Sequence, residues 1–165
     1  MTTTQVMKLV CDIIQNQLGL DDDQVYLWNQ DFIIPPDDRV YLIVALQSSK
    51  MFGSGSQFDG NMIETFSQNV RDILTIDIVS KSFDSIEDMG SVTGALRSTY
   101  SQQVQQLNGF YIANLPQQIN TVNELEGTTI LYRFNFPIAV QYFKEESSQS
   151  DYYDKFGKVS VTQNL

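Results

Sequence analysis

Between Gly127 and Phe143 every second residue from Ile130 is large and apolar: Ile130, Tyr132, Phe134, Phe136, Ile138, Val140 and Tyr142. The other phase reads Thr129, Leu131, Arg133, Asn135, Pro137, Ala139 and Gln141. Successive strand side chains point to opposite faces, so this period of two predicts a strand with one apolar and one mostly polar face. Each of the seven large side chains can contribute roughly 1.5–3 kcal/mol when buried, so the rest of the fold must cover that face. Extended from Thr128 to Tyr142, the run reaches about 50 Å at ~3.3 Å per residue. Most strands are far shorter, about five or six residues. Either the strand bends at Pro137, or part of it leaves the domain and lies against something else. Pro137 has no N–H for a ladder and so favours a sheet edge or a bulge.

The remaining elements must supply that cover. Thr2–Leu18 reads as a helix, with Val6, Leu9, Val10, Ile13, Ile14 and Leu18 on one stripe. Thr2 with Gln5 fits a capping box, and Gly19 is a C-terminal stop. Asp21-Asp22-Asp23 is a solvated turn; it lacks the glycine and distal glutamate of a calcium loop. Val25–Asn29, with the single tryptophan Trp28, predicts a short strand, and Phe32–Arg39, with Pro35-Pro36, an exposed rigid loop. Val40–Gln47 is a strand apolar on both phases. Such a strand lies in the interior, or has one face on the core and one on a neighbouring subunit.

Ser48–Asn61 is rich in Gly and Ser and predicts a long loop, a kind that tends to be functional or mobile. Its Phe52 and Phe58 either fold back on the sheet or anchor a partner. Glu64–Ser80 predicts a strand with Leu74, Ile76 and Ile78 on one face and Thr75 and Asp77 on the other. Ser85–Leu107 predicts one long helix, its stripe being Ile86, Met89, Val92, Leu96, Tyr100, Val104 and Leu107. Phe110–Leu115 is a short strand and Pro116–Glu126 a polar connection. Glu145–Leu165 is polar and Ser-rich with Tyr152, Tyr153 and Phe156, the character of an arm.

This order predicts an α+β fold: a mainly antiparallel sheet with one long amphipathic helix packed on a face, plus an N-terminal helix. An extended hairpin arm and a C-terminal arm complete it, with residues 1–144 as one domain and 145–165 as the arm. The 165 residues carry 42% apolar and 12% aromatic content, enough for one core.

The chemistry is sparse. Twenty Asp and Glu against ten Lys and Arg give a net charge of −10, and there is no histidine. That balance argues against a sequence-reading DNA-binding protein, which needs a basic face. It also lacks the commonest general base and metal ligand. Cys11, the only cysteine, sits on an apolar helical stripe and reads as a buried inert thiol. No phosphate loop, zinc pattern or nucleophile elbow is present. Asp77 and Arg133 read as a structural cross-strand ion pair. The expectation is no enzyme, no catalytic residue, no cofactor, no metal site and no small-molecule substrate. No run approaches a membrane span, and the start lacks a signal peptide's apolar core, so a cytoplasmic origin is expected.

Several stretches in order carry a resemblance. They are Asn29-Gln30, Pro35, Tyr41 entering a strand, a Gly/Ser loop, ILTIDIVS (Ile73–Ser80), ALRSTYSQQVQQLNGF (Ala95–Phe110) and LEGTTILYRFNFPIAV (Leu125–Val140). Over roughly residues 20 to 156 the chain resembles the neck or tail terminator proteins of tailed bacteriophages. The match departs from the pattern at Asp37-Asp38-Arg39 before Tyr41. The resemblance implies a structural virion protein: a six-fold ring of copies on the head-proximal end of the tail tube, ending tube polymerisation. Its partners would be itself, the tail tube protein and a head-completion or connector protein, with genome DNA passing through the lumen unread. It implies assembly in the host cytoplasm and residence in the virion neck, with no membrane. Phe52, Phe58, Tyr152, Tyr153 and Phe156 are the expected interface residues. The alternatives are a tail tube or head-completion subunit or, from another class, an acidic cytoplasmic adaptor.

Overall fold

A computed structural model describes residues 1–27, 37–58, 63–82, 85–115, 120–126 and 129–149. In chain order the elements are α1 (Thr3–Leu18), β1 (Val25–Leu27), β2 (Tyr41–Phe58) and β3 (Ile63–Ser80). They continue with α2 (Ser85–Arg97), α3 (Thr99–Asn108), β4 (Phe110–Asn114), β5 (Asn120–Glu126) and β6 (Thr129–Gln149). They form an α+β fold around one six-stranded sheet, ordered β1-β2-β3-β6-β4, with β5 also paired to β6. Only β1 and β2 run parallel; the other pairs are antiparallel.

The alternating segment occupies the sheet's centre. β6 pairs with β3 continuously from Tyr132↔Ser80 to Gln149↔Ile63. Phe134, Phe136, Ile138, Val140 and Tyr142 are all buried on its apolar face. They meet Leu74, Ile76 and Ile78 of β3 and Leu42 and Val44 of β2 in one core. The helices close that core from one side. Val6, Val10, Ile13 and Ile14 of α1 and Val92 and Leu96 of α2 belong to the same cluster. The capping box on α1 is present: Gln5 N–H donates to Thr2 Oγ1 (3.3 Å) and Thr2 N–H to Gln5 Oε1 (2.8 Å). Gly19 ends the helix at φ 64°, where its missing Cβ removes the strain.

Four expectations need correction or refinement. Pro137 lies within β6, a strand with neighbours on both sides, yet it occupies a local edge position there. It faces Thr75 of β3, while β5 pairs with 129–135 of β6 and β4 with 139–142. No residue of either strand is in register with Pro137, so its absent N–H interrupts neither pairing. Second, the expected loop Ser48–Asn61 is strand as far as Phe58, paired from Ser48↔Ile73 to Phe58↔Glu64. Main-chain pairing needs no apolar side chains, and Gly53, at φ 65°, fills the irregularity between Phe52 and Ser54. Third, the polar connection Pro116–Glu126 contains β5, whose partner is the start of β6.

Fourth, the long helix breaks at Ser98. That residue is extended (φ −61°, ψ 158°) and its hydroxyl accepts from Ser101 N–H (3.0 Å), capping a new helix. The stripe changes character with the break. Val92 and Leu96 are buried, but α3 turns Ser101 and Gln105 inward and leaves Leu107 84% exposed. Gln105 is held by Ser101 (2.9 Å) and accepts from Ile112 N–H of β4 (2.9 Å), satisfying a backbone donor at the sheet margin. Ile86's side chain, Trp28 and most of the Phe32–Arg39 loop lie outside the described residues.

Candidate assembly surface

The same three strands make a second, different object. Val70 and Tyr142 are the last buried residues of β3 and β6 in the direction of Ile63 and Gln149. Beyond them β2, β3 and β6 continue as a three-stranded ribbon, with no helix on either face among the described residues. Residues 51–57 of β2 and 145–148 of β6 are all exposed. The ribbon is stitched by its ladder and by small polar contacts such as Thr65 Oγ1 with Ser147 Oγ (3.2 Å). On β6 Lys144 pairs with Glu146 (2.6 Å).

Among the described residues both ribbon edges are open. β1 covers β2 only along Leu42–Val44, and β4 covers β6 only as far as Tyr142. Among the described residues no strand pairs with the outer side of 45–58 or of 143–149. An exposed edge presents unpaired N–H and C=O groups, which a monomer must protect and an assembly can use.

The ribbon root carries an aromatic patch. Phe52, Asn69 and Phe143 stand in one row across β2, β3 and β6. Tyr111 of β4 faces Gln141, two residues before Phe143 and on the same face. Phe143 and Tyr111 are each 59% exposed and Phe52 44%. With Asn69 and Gln141 they border a groove of about 350 Å³. The next row on that face is Lys50–Arg71–Gln141. Neither cation has a carboxylate partner among the described residues, and Arg71's buried Nε has no acceptor there. The patch therefore combines exposed aromatic area with positive charge that no described carboxylate neutralises. Met51, Ile63 and Phe66 add further exposed apolar area along the ribbon.

A buried polar contact anchors the root from the helix side. Asp72, fully buried on the core face, accepts from Tyr142 Oη–H (2.8 Å). Because that hydroxyl gives away its only proton, Thr3 Oγ1, 2.8 Å away, donates to the tyrosine oxygen. Burial pushes the Tyr142 hydroxyl up to about 12. The Met1 ammonium donates to Phe143 O (3.3 Å), so the start of α1 is tied to the strand where the ribbon leaves the core.

At the opposite end Arg39 gathers acidic side chains: Asp23 (2.8 Å), Asp37 (2.8 Å) and Asp21 (3.6 Å). Its guanidinium lies 5.6 Å from the Tyr41 ring centre, and Tyr41 donates to Asp37 (2.8 Å). Hydrogen bonds from Arg39 hold Asp23 and Asp37 below the usual carboxylate range. This cluster fixes the entry to β2 and leaves no open donor set. Asp77 and Arg133 do meet, at 3.2 Å, diagonally across β3 and β6. Among the described residues no group of His, Cys, Asp or Glu could hold a metal ion, and no helix is long and apolar enough to cross a membrane.

Of the expected interface residues, Phe52 lies on the groove and Phe58 ends β2 at the ribbon tip. Phe58's side chain, and Tyr152, Tyr153 and Phe156 altogether, lie outside the described residues. Tyr111 and Phe143 are missing from the expected set. The signal for Phe143 was present: it is a large aromatic on the polar phase of an otherwise alternating strand.

Among solved structures the architecture has a counterpart. A cryo-EM structure of the sheath/tube terminator of a PVC extracellular contractile injection system, in its extended state, matches the whole chain at TM-score 0.50 and 14% identity. The chain shares that terminator's fold. It spans 65% of that protein's length. No family model and no curated protein matches the sequence.

Proposed function

We propose that this protein is a tail terminator: a structural component of a phage or phage-like particle that caps the head-proximal end of the tail tube. One observation carries the reading: the ribbon of β2, β3 and β6, with two open edges and an exposed aromatic root, projecting from a terminator-like fold. Such a ribbon burdens a monomer but suits a closed ring, where each edge and patch finds a neighbour. The ring is a homohexamer, formed by copies of this chain on the tube end. One side contacts the tube protein and stops its growth; the other receives a head-completion or connector protein. A net charge of −10 suits a DNA conduit, because like charge keeps the phosphate backbone from adhering. In this reading residues 1–144 are the ring body and 145–165 an arm whose first residues are the end of β6. Assembly takes place in the host cytoplasm, and the product resides in the virion neck.

The decisive experiment images tubes assembled with and without the protein. A terminator yields tubes of bounded length with a six-copy ring at one end, and permanent ring contacts of this kind bury over about 2,000 Å². Long tubes made by the purified protein alone would identify a tube subunit instead. A ring of another copy number would sink the hexamer.

A further inference from the structure

The groove at the ribbon root has the chemistry to receive a particular peptide, and this chain contains one. The groove offers Phe52, Tyr111 and Phe143 with Lys50 and Arg71 one row away. Beyond Gln149, where β6 ends, the chain reads Ser150-Asp151-Tyr152-Tyr153-Asp154. Two aromatics flanked by two carboxylates complement an aromatic groove flanked by two cations that have no carboxylate partner among the described residues. We infer that the groove of each copy binds the Asp151–Asp154 segment of a neighbouring copy, making the post-β6 segment a subunit-joining arm. The inference rests on the ring reading and names the contact that closes the ring.

Reach decides between the chain's own groove and a neighbour's. Gln149 lies at the distal end of the ribbon, opposite Ile63, while Phe143 and Phe52 lie at its root, level with Asn69. Six residues of strand separate Gln149 from Phe143, about 20 Å at ~3.3 Å per residue. Tyr152 and Tyr153 follow Gln149 by three and four residues and extend at most ~11 and ~14 Å. A reversal itself uses at least two residues, so the tightest hairpin after Gln149 would return Tyr153 only to the level of residue 148, and its side chain, roughly two strand residues long, would still stop short of Phe143. A second copy placed against the ribbon has no such restriction. Hidden in the monomer's own geometry, then, is a reason for the segment to act in trans.

Cross-linking tests this on the full-length protein. Gln141→Cys and Ser150→Cys are made in separate chains, so every aromatic and charged member of the contact stays in place. The chains are mixed under assembling conditions and treated with a short bismaleimide. Cys11 is buried and its thiol pushed up to about 12, so it stays silent. The expected product is a cross-linked dimer containing one chain of each kind. Lys50→Glu with Arg71→Glu in the Gln141→Cys chain should lower its yield at least about fivefold, and Asp151→Lys with Asp154→Lys in the other chain should restore it. An oligomer without the cross-link overturns this inference and leaves the ring standing. A link formed within a single chain carrying both cysteines, or a yield indifferent to charge reversal, also overturns it. Absence of any oligomer, read by native mass spectrometry, overturns the ring and this contact together.

Discussion

The body and the ribbon are built from the same strands, yet they obey different rules. In the body, β2, β3 and β6 turn Leu42, Val44, Leu74, Ile76, Phe134 and Phe136 toward the helices, all essentially without solvent contact. In the ribbon the same strands carry Gly, Ser, Gln and Glu; residues 51–57 and 145–148 are exposed, and the β3 residues between them are half-buried or exposed. Strand pairing continues across the boundary without interruption between β3 and β6. Pairing is a main-chain property, indifferent to what the side chains bury. Stability is not, because most of it comes from apolar area removed from water. The body is therefore self-sufficient, whereas the ribbon is formed but leaves its edges and aromatic side chains for something else.

The largest test of that contrast is a core deletion in the body. Phe136→Ala should cost about 3–5 kcal/mol, and Leu96→Ala on the covering helix about 2–5 kcal/mol. Chemical denaturation would check both; a loss below 1 kcal/mol at Leu96 would mean that α2 does not close the core. At the boundary, Tyr142→Phe leaves the buried Asp72 carboxylate without its tyrosine donor and should cost roughly 1.5–3 kcal/mol. It should also alter the alkaline response. A tyrosine whose folded pKa is raised from 10 to about 12 contributes stability fully below pH 10, and that contribution is lost as pH rises through 12. Cys11, raised from 9 to about 12 by burial, acts in the same direction. Melting curves from pH 8 to 11 should fall for the parent protein and fall less steeply for Tyr142→Phe.

Changes in the ribbon should be smaller and local. Gly53→Ala forces a side chain into φ 65° and brings its Cβ within 3.4 Å of Asn69 Nδ2. It should weaken the ribbon by about 1–2 kcal/mol. Hydrogen exchange at Phe52–Gln57 would report it while global melting barely moves. Smallest of all, Phe52→Ser with Phe143→Ser should change monomer stability by within about 0.5 kcal/mol, like the exposed body control Gln102→Ala. Only the first pair should abolish assembly. If the Phe52 and Phe143 pair unfolded the monomer, the ribbon would belong to the core and the contrast would fail.

The strong periodic signals were legible in sequence because local rules produced them. The period-two run of β6, the capping box at Thr2 and the glycine stop at Gly19 each depend on neighbours a few residues away, and each stands where expected. The Asp77–Arg133 pair was legible too, since both residues sit on polar phases of strong strands. Other features depend on partners far along the chain. Ser48–Phe58 looks like a loop by composition and is a strand because β3 lies beside it. Pro137 looks like an edge residue and finds an edge position inside a central strand, because β4 and β5 leave a gap beside it. The exposure of Tyr111 and Phe143 follows from their place on the sheet face turned away from the helices; the alternating phase of β6 marked which face Phe143 takes, but not that this face is uncovered there. Periodicity in the amino-acid sequence thus determined which side chains could share a face. The tertiary structure alone decided which faces were covered, because burial is a relation between segments distant in the chain.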